Sequence, residues 1–111
     1  MKPTFQTSTV PAYNKFKKKV EKKYLEVGQN AINIHNKEMG TVKFVGRTDI
    51  GPGIWVGLEM KKKLGKHNGI VNGRRYFTCR EGHGVVVKPR SISVHGINGN
   101  DLIRPESYYP V

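Results

Sequence analysis

The chain has a single cysteine, no long apolar run, and only 8 Asp+Glu against 20 Lys+Arg in 111 residues. Cys79 alone cannot close an internal disulfide or supply a thiolate zinc site, so a reducing compartment, cytosolic or nuclear, is expected. No stretch approaches the ~18 apolar residues of a spanning helix, and the start lacks a signal-peptide core, so a soluble chain is expected. At ~100–150 residues per domain, the length accommodates one small domain plus tails. There is no carboxylate pair and no nucleophile–base pair. The glycines at 65 and 69 stand too close together for a phosphate-binding loop. His35, His83 and His95 share no ligand spacing with one another or with Cys79. The expectation is a binding protein rather than an enzyme, with neither metal nor cofactor.

What the chain has in excess is positive charge, +12 formally. Residues 1–30 carry seven Lys against two Glu, and residues 31–95 twelve Lys/Arg against four Asp/Glu. Residues 96–111 carry one Arg against an Asp and a Glu. Both the leading segment and the body therefore attract polyanions: nucleic acid, acidic lipid or an acidic protein tail. In the leading segment Phe16, Val20 and Tyr24 recur every four residues among Lys15, Lys17, Lys18, Lys19, Lys22 and Lys23. Such a stretch is either a solvated basic tail or a short helix with one apolar face. The chain divides into a basic, flexible or partly helical extension (1–26), a domain (27–95) and a C-terminal tail (96–111).

Ten of the 13 glycines fall within residues 40–84. A helical domain does not carry that density, because each interior glycine costs about 1 kcal/mol relative to alanine. β-Prone runs lie between them at 31–35, 41–45, 54–60, 74–78, 84–87 and 91–95. Asn72-Gly73 between Ile70-Val71 and Arg74-Arg75 is the signal of a type I′ hairpin. Pro52 and Pro89 stand at run boundaries, where a missing N–H does least harm to a sheet. The pattern predicts an all-β domain, a small SH3-like antiparallel β-barrel. Tyr76 and Phe77, adjacent in one predicted strand, should point to opposite faces. Trp55 is either core or a partly exposed wall, and Cys79 reads as a small buried hydrophobe.

Five segments in order carry a more specific signal. They are Gly40-Thr-Val-Lys-Phe-Val-Gly46, Pro52-Gly-Ile-Trp-Val-Gly-Leu-Glu59, Gly65-Lys-His-Asn-Gly69, Asn72-Gly-Arg-Arg-Tyr-Phe-Thr-Cys79 and Gly82-His-Gly-Val-Val-Val-Lys-Pro89. Together they resemble the CAP-Gly family over about residues 27–95, in a dynactin-like variant across 76–84. The resemblance implies an adaptor of the cytoplasmic microtubule cytoskeleton, active at plus ends. Its expected ligands are acidic C-terminal tails ending in an aromatic residue, as on α-tubulin and end-binding proteins. It also implies a groove lined by Ile50, Trp55, Lys66, His67, Asn68, Gly69, Phe77, Val86 and Lys88. Several of these depart from the usual residues. His67 stands for Asn, Asn68 for Asp, Ile50 for an aromatic, Val86 for Phe and Lys88 for Arg.

Glycines flanking Lys66 should free the loop to adopt φ > 0 and let a ligand backbone approach. The Lys66 ammonium and the loop amides could then hold a terminal carboxylate by charge-assisted hydrogen bonds. His67 can donate from one ring nitrogen when neutral and from both when charged, and is either an ordinary loop residue or a switch. Lys15, Lys17, Lys18, Lys19, Lys22 and Lys23, with Lys61, Lys62 and Lys63, would add long-range attraction to tubulin's acidic tails. Two other readings stay open. One is a nucleic-acid-binding SH3-like barrel, although its charge is mostly Lys and no stacking platform is visible. The other is a fragment of a tubulin-folding chaperone, which shares the module.

Overall fold

In the computed structural model, which describes residues 24–109, the glycine-punctuated runs become eight short strands. These are β1 (Asn30–Asn33), β2 (Glu38–Arg47), β3 (Ile54–Met60), β4 (Ile70–Val71), β5 (Arg74–Arg75), β6 (Gly84–Val87), β7 (Ile92–Val94) and β8 (Ile97–Asn98). Six pair antiparallel in the order β6-β3-β2-β1-β7-β8, and β4-β5 form a separate hairpin. The all-β expectation holds. The leading segment, with Lys15, Lys17, Lys18, Lys19, Lys22, Lys23 and the Phe16–Val20 spacing, lies outside the described residues.

Local chemistry explains most boundaries. Asn72 and Gly73 adopt φ of 52° and 80°, the double positive φ of a type I′ turn. In β3 the residues Ile54, Val56, Leu58 and Met60 alternate into the core, and Trp55, Gly57 and Glu59 face out. On β6, Val85 and Val87 pack against that core, leaving Val86 outward opposite Gly57. The predicted 74–78 strand stops at Arg75. The Arg75 guanidinium donates to Asn68 O (3.2 Å), Phe77 O (3.0 Å) and Thr78 Oγ1 (3.2 Å). Those bonds curl the chain where a strand would have run straight.

The core joins Ala31, Val42, Val45, Val56, Leu58, Met60, Ile92 and Val94 to three residues outside the strands: Leu25, Leu102 and Tyr109. Packing therefore does not end at residue 95. Leu25 N–H donates to Leu102 O (2.9 Å), and the Tyr109 hydroxyl donates to Leu25 O (3.3 Å) while accepting from the Arg104 amide (3.0 Å). Of the segment expected to be a tail, 96–111, Leu102 and Tyr109 instead belong to the core and Ile103 packs against it. Each fully buried side chain of this size contributes about 1.5–3 kcal/mol.

Candidate functional site

The candidate site is built on the outer face of β3. Gly57 is flanked by Phe44 of β2 and Val86 of β6, and Phe77 lies across it. A Cβ on Gly57 would stand 2.8 Å from Phe77 Cδ1 and 3.1 Å from Phe44 Cβ, so glycine is what lets the ring lie against the sheet. Phe77 is only 8% exposed yet belongs to no inner-core cluster; it roofs the outer face. Phe44 extends the aromatic surface, its ring centroid 5.3 Å from that of Tyr76. Alternation from Val42 would have turned Phe44 into the core. A bulge between Val42 and Phe44 turns Val45 inward and Phe44 outward. A glycine inside a β-prone run was the one sequence signal for this close approach.

The 65–69 loop borders Phe77. His67 forms a bridge with Gly84, and its ring meets Phe77 edge-on at 5.9 Å. Gly69 has φ of 110°, and a Cβ there would fall 2.5 Å from the Phe77 carbonyl carbon. Gly65 is required for space rather than for positive φ, since its Cβ would approach Gly84 N to 2.5 Å. This corrects the expectation that both glycines serve φ > 0.

The loop amides are also spoken for. Gly65 N–H donates to Gly82 O (2.7 Å), Lys66 N–H to Gly84 O (2.8 Å), and His67 N–H to Gly84 O (3.3 Å). Gly69 N–H donates to His67 Nδ1 (2.9 Å). Of the amides expected to cradle a carboxylate, only that of Asn68 is without a partner among the described residues. The donors left are that amide, the Asn68 side chain, the exposed Lys66 ammonium and His67 Nε2–H. Accepting from Gly69 makes Nδ1 the unprotonated nitrogen, so the neutral ring carries its proton on Nε2. Partial burial holds the imidazole below its ordinary pKa, with Glu81 pulling weakly the other way.

At the other end, Trp55 is half-buried on the outer face and not in the core. Its indole N–H donates to Gly51 O (3.1 Å). The Lys88 ammonium stands 4.4 Å from the Trp55 ring centroid and donates to Pro52 O (2.7 Å). Half-buried Ile50 sits in the same 48–53 loop, its amide on Thr48 Oγ1 (3.0 Å). Lys61, Lys62 and Lys63 are exposed in the turn after β3, and Lys62 pairs with Glu38 (3.2 Å). Cys79 is only partly buried, not the buried hydrophobe expected; desolvation raises its thiol pKa. It lies where the chain crosses back to β3. There Glu59 accepts from the Arg80 amide (3.0 Å) and guanidinium (2.9 Å), which hold its carboxyl below the ordinary range.

The structure thus places Trp55, Val86 and Phe77 on the outer side of the sheet, with His67 and Gly69 of the 65–69 loop against Phe77 and with Lys88 and the Ile50-bearing loop at the Trp55 end. Sequence reasoning missed Phe44, Gly57 and Arg75, whose roles depend on a bulge, a close approach and a three-way clamp. Among the described residues no group of three or more His, Cys, Asp or Glu could hold a metal.

The model of the CAP-Gly domain matches residues 27–92. Tubulin-folding cofactor B of Mus musculus is 48% identical over 60 residues, 54% of this chain and 25% of that protein. Dynactin subunit 1 of Xenopus laevis is 42% identical over 88 residues, 79% of this chain and 7% of that protein. CAP-Gly domain-containing linker protein 3 of Xenopus laevis is 40% identical over 72 residues, 65% of this chain and 13% of that protein. The chain therefore spans a quarter or less of the length of these relatives. The solution structure of the CAP-Gly domain in human kinesin-like protein KIF13B superposes with a TM-score of 0.59 at 34% identity, over 63% of this chain and 69% of that one. With the family model matching more than half its length, this chain belongs to the CAP-Gly domain family.

Proposed function

We propose that this chain is a microtubule-associated recognition module, binding acidic C-terminal tails that end in an aromatic residue, as on α-tubulin and end-binding proteins. In this reading it is a cytoplasmic adaptor of the microtubule cytoskeleton and not an enzyme. The observation that carries the reading is the outer face of β3. An apolar floor of Gly57, Phe77, Val86 and Trp55 adjoins a loop whose remaining donors are all side chains or one amide. The family membership and a relative named for tubulin folding support the same partner class.

In the proposed complex the terminal ring lies on the apolar floor, and full burial of such a ring contributes about 1.5–3 kcal/mol. Lys66, Asn68 and His67 Nε2–H hold the carboxylate, while Gly69 turns the loop. Ile50 closes the rim. Lys88 braces the Trp55 end of the groove, its ammonium on Pro52 O and over the indole, and keeps further N–H donors for the acidic tail. Lys61, Lys62 and Lys63, with the lysines of the leading segment, add screened long-range attraction.

The test uses four ligands at two salt concentrations. They are an acidic peptide ending in Tyr, the same peptide without Tyr, its C-terminal amide, and a single-stranded RNA of equal charge. The proposal expects removal of the ring or of the carboxylate charge to cost about tenfold each. RNA should bind with a steep salt slope and no end preference. Tighter binding of RNA at near-physiological salt, with no effect of the terminal aromatic, would overturn the reading in favour of a nucleic-acid-binding barrel.

A further inference from the structure

Tyr76 touches both loops that border the groove. Its backbone N–H donates to Gly69 O (2.9 Å), at the end of the 65–69 loop. Its hydroxyl donates to the Asp49 carboxylate and accepts from the Asp49 amide (3.1 Å), in the 48–53 loop. The ring between these ends is braced by Phe44 at 5.3 Å and by the Arg74 guanidinium at 5.6 Å. The 48–53 loop has no regular secondary structure and contains two glycines, one with φ of 86°. It is nevertheless anchored at three points: Asp49 by Tyr76, Gly51 by the Trp55 indole and Pro52 by Lys88. Ile50 lies between the first two anchors.

We propose that Tyr76 is a positioning residue, a strut whose hydroxyl latches Asp49 and so holds the 48–53 loop and Ile50 as the far wall of the groove before any ligand arrives. The proposal rests on the reading of this face as a peptide groove. Its physical basis is preorganisation. A glycine-containing loop that is loose in the free protein has to be ordered on binding, and that conformational entropy is subtracted from the affinity. Tyr76 removes the cost in advance by coupling the loop to the recognition loop through one rigid ring. It does so without touching the ligand. The hydroxyl also occupies a carboxylate that would otherwise face an acidic tail with its full hydrogen-bonding capacity free.

The test uses the whole chain and Tyr76→Phe, Asp49→Ala and the double variant. Tyr76→Phe keeps the ring against Phe44 and deletes only the hydroxyl. One measurement needs no ligand: hydrogen exchange of the Ile50 amide and of the Trp55 indole N–H, which bond to Thr48 Oγ1 and Gly51 O. Both single variants should speed this exchange about tenfold with little change in the global unfolding midpoint, since only a local opening is affected. The second measurement is affinity for the acidic peptide with and without its terminal Tyr. Each single variant should bind the Tyr-ended peptide about threefold to tenfold more weakly, and the double variant no more weakly than either, as expected for two partners in one interaction. Unchanged exchange in Tyr76→Phe, or strictly additive losses, would overturn the latch. Faster exchange with unchanged affinity would overturn its role in positioning. If wild-type protein does not distinguish the two peptides, the recognition reading itself falls, and Tyr76's role in it too. That result differs visibly from a failed latch, where wild type and Tyr76→Phe both discriminate.

Discussion

Phe77 packs close over the sheet because residue 57 beneath it has no side chain: a Cβ there would stand 2.8 Å from Phe77 Cδ1 and closer still to Cε1. The apolar floor of the groove therefore depends on one hydrogen atom in the middle of a strand. Gly57→Ala should lift the ring, destabilise the domain by about 1–3 kcal/mol through overpacking, and weaken binding of a Tyr-ended peptide. Gly73→Ala is the matched control. That residue has φ of 80° but no heavy atom within 4 Å of its would-be Cβ, so only backbone strain should be felt. Urea unfolding and peptide titration of both variants separate the two effects.

Lys66→Ala should leave the unfolding midpoint unchanged, since the side chain is exposed and only the backbone of Lys66 bonds to Gly84. Peptide affinity should fall about tenfold if the ammonium is a principal partner of the terminal carboxylate. Equal affinity for wild type and variant would remove Lys66 from the proposed site.

His67 makes stability depend on pH. Its folded pKa lies below the ordinary 6.5, so the unfolded chain binds a proton more readily than the native one. Stability is then fully present above about pH 6.5 and is lost as pH falls through the lower folded value. Protonation also ends the acceptance of the Gly69 amide by Nδ1. His67→Asn removes the titration. The midpoint difference between wild type and variant, followed from pH 7.5 to 5, should shift against wild type as the pH falls. A difference that stays constant would count against this coupling.

Removing residues 1–23 should lower co-sedimentation with microtubules at low salt and hardly change binding to an isolated tail peptide. The segment carries seven Lys and one Glu but lies outside the family match. The gap between the full and the shortened chain should close as the screening length shrinks from ~30 Å at 0.01 M to ~10 Å at 0.1 M salt. The cut belongs before Tyr24, whose carbonyl accepts from Gln29 Nε2 (2.8 Å).

Leu102→Ala should cost about 2–5 kcal/mol, the range for a buried leucine lost from a core. A separate tail at 96–111 would instead leave the urea midpoint unchanged. The 2% exposure of Leu102 and its backbone bond with Leu25 support the large effect.

Local sequence determined a good deal of this protein. The β-prone run 54–60 marked a strand and Asn72-Gly73 specified its hairpin, while the sequence left Trp55 open between core and outer wall and only the fold turned it outward. Spaced glycines announced the loop at 65–69. These features depend on near neighbours: side-chain period, turn φ and the absence of a Cβ. Tertiary structure alone decided the rest. The bulge that turns Phe44 outward is a property of the β2–β3 register, not of either strand. The loop amides were spent on Gly82, Gly84 and His67, so a motif that reads as a backbone cradle became one of side-chain donors. Leu102 and Tyr109 joined the core through distant partners, the Tyr109 hydroxyl reaching Leu25 O across 84 positions. Local patterns fix which conformations a backbone can adopt; which partner satisfies each hydrogen bond and apolar face is a long-range outcome of packing.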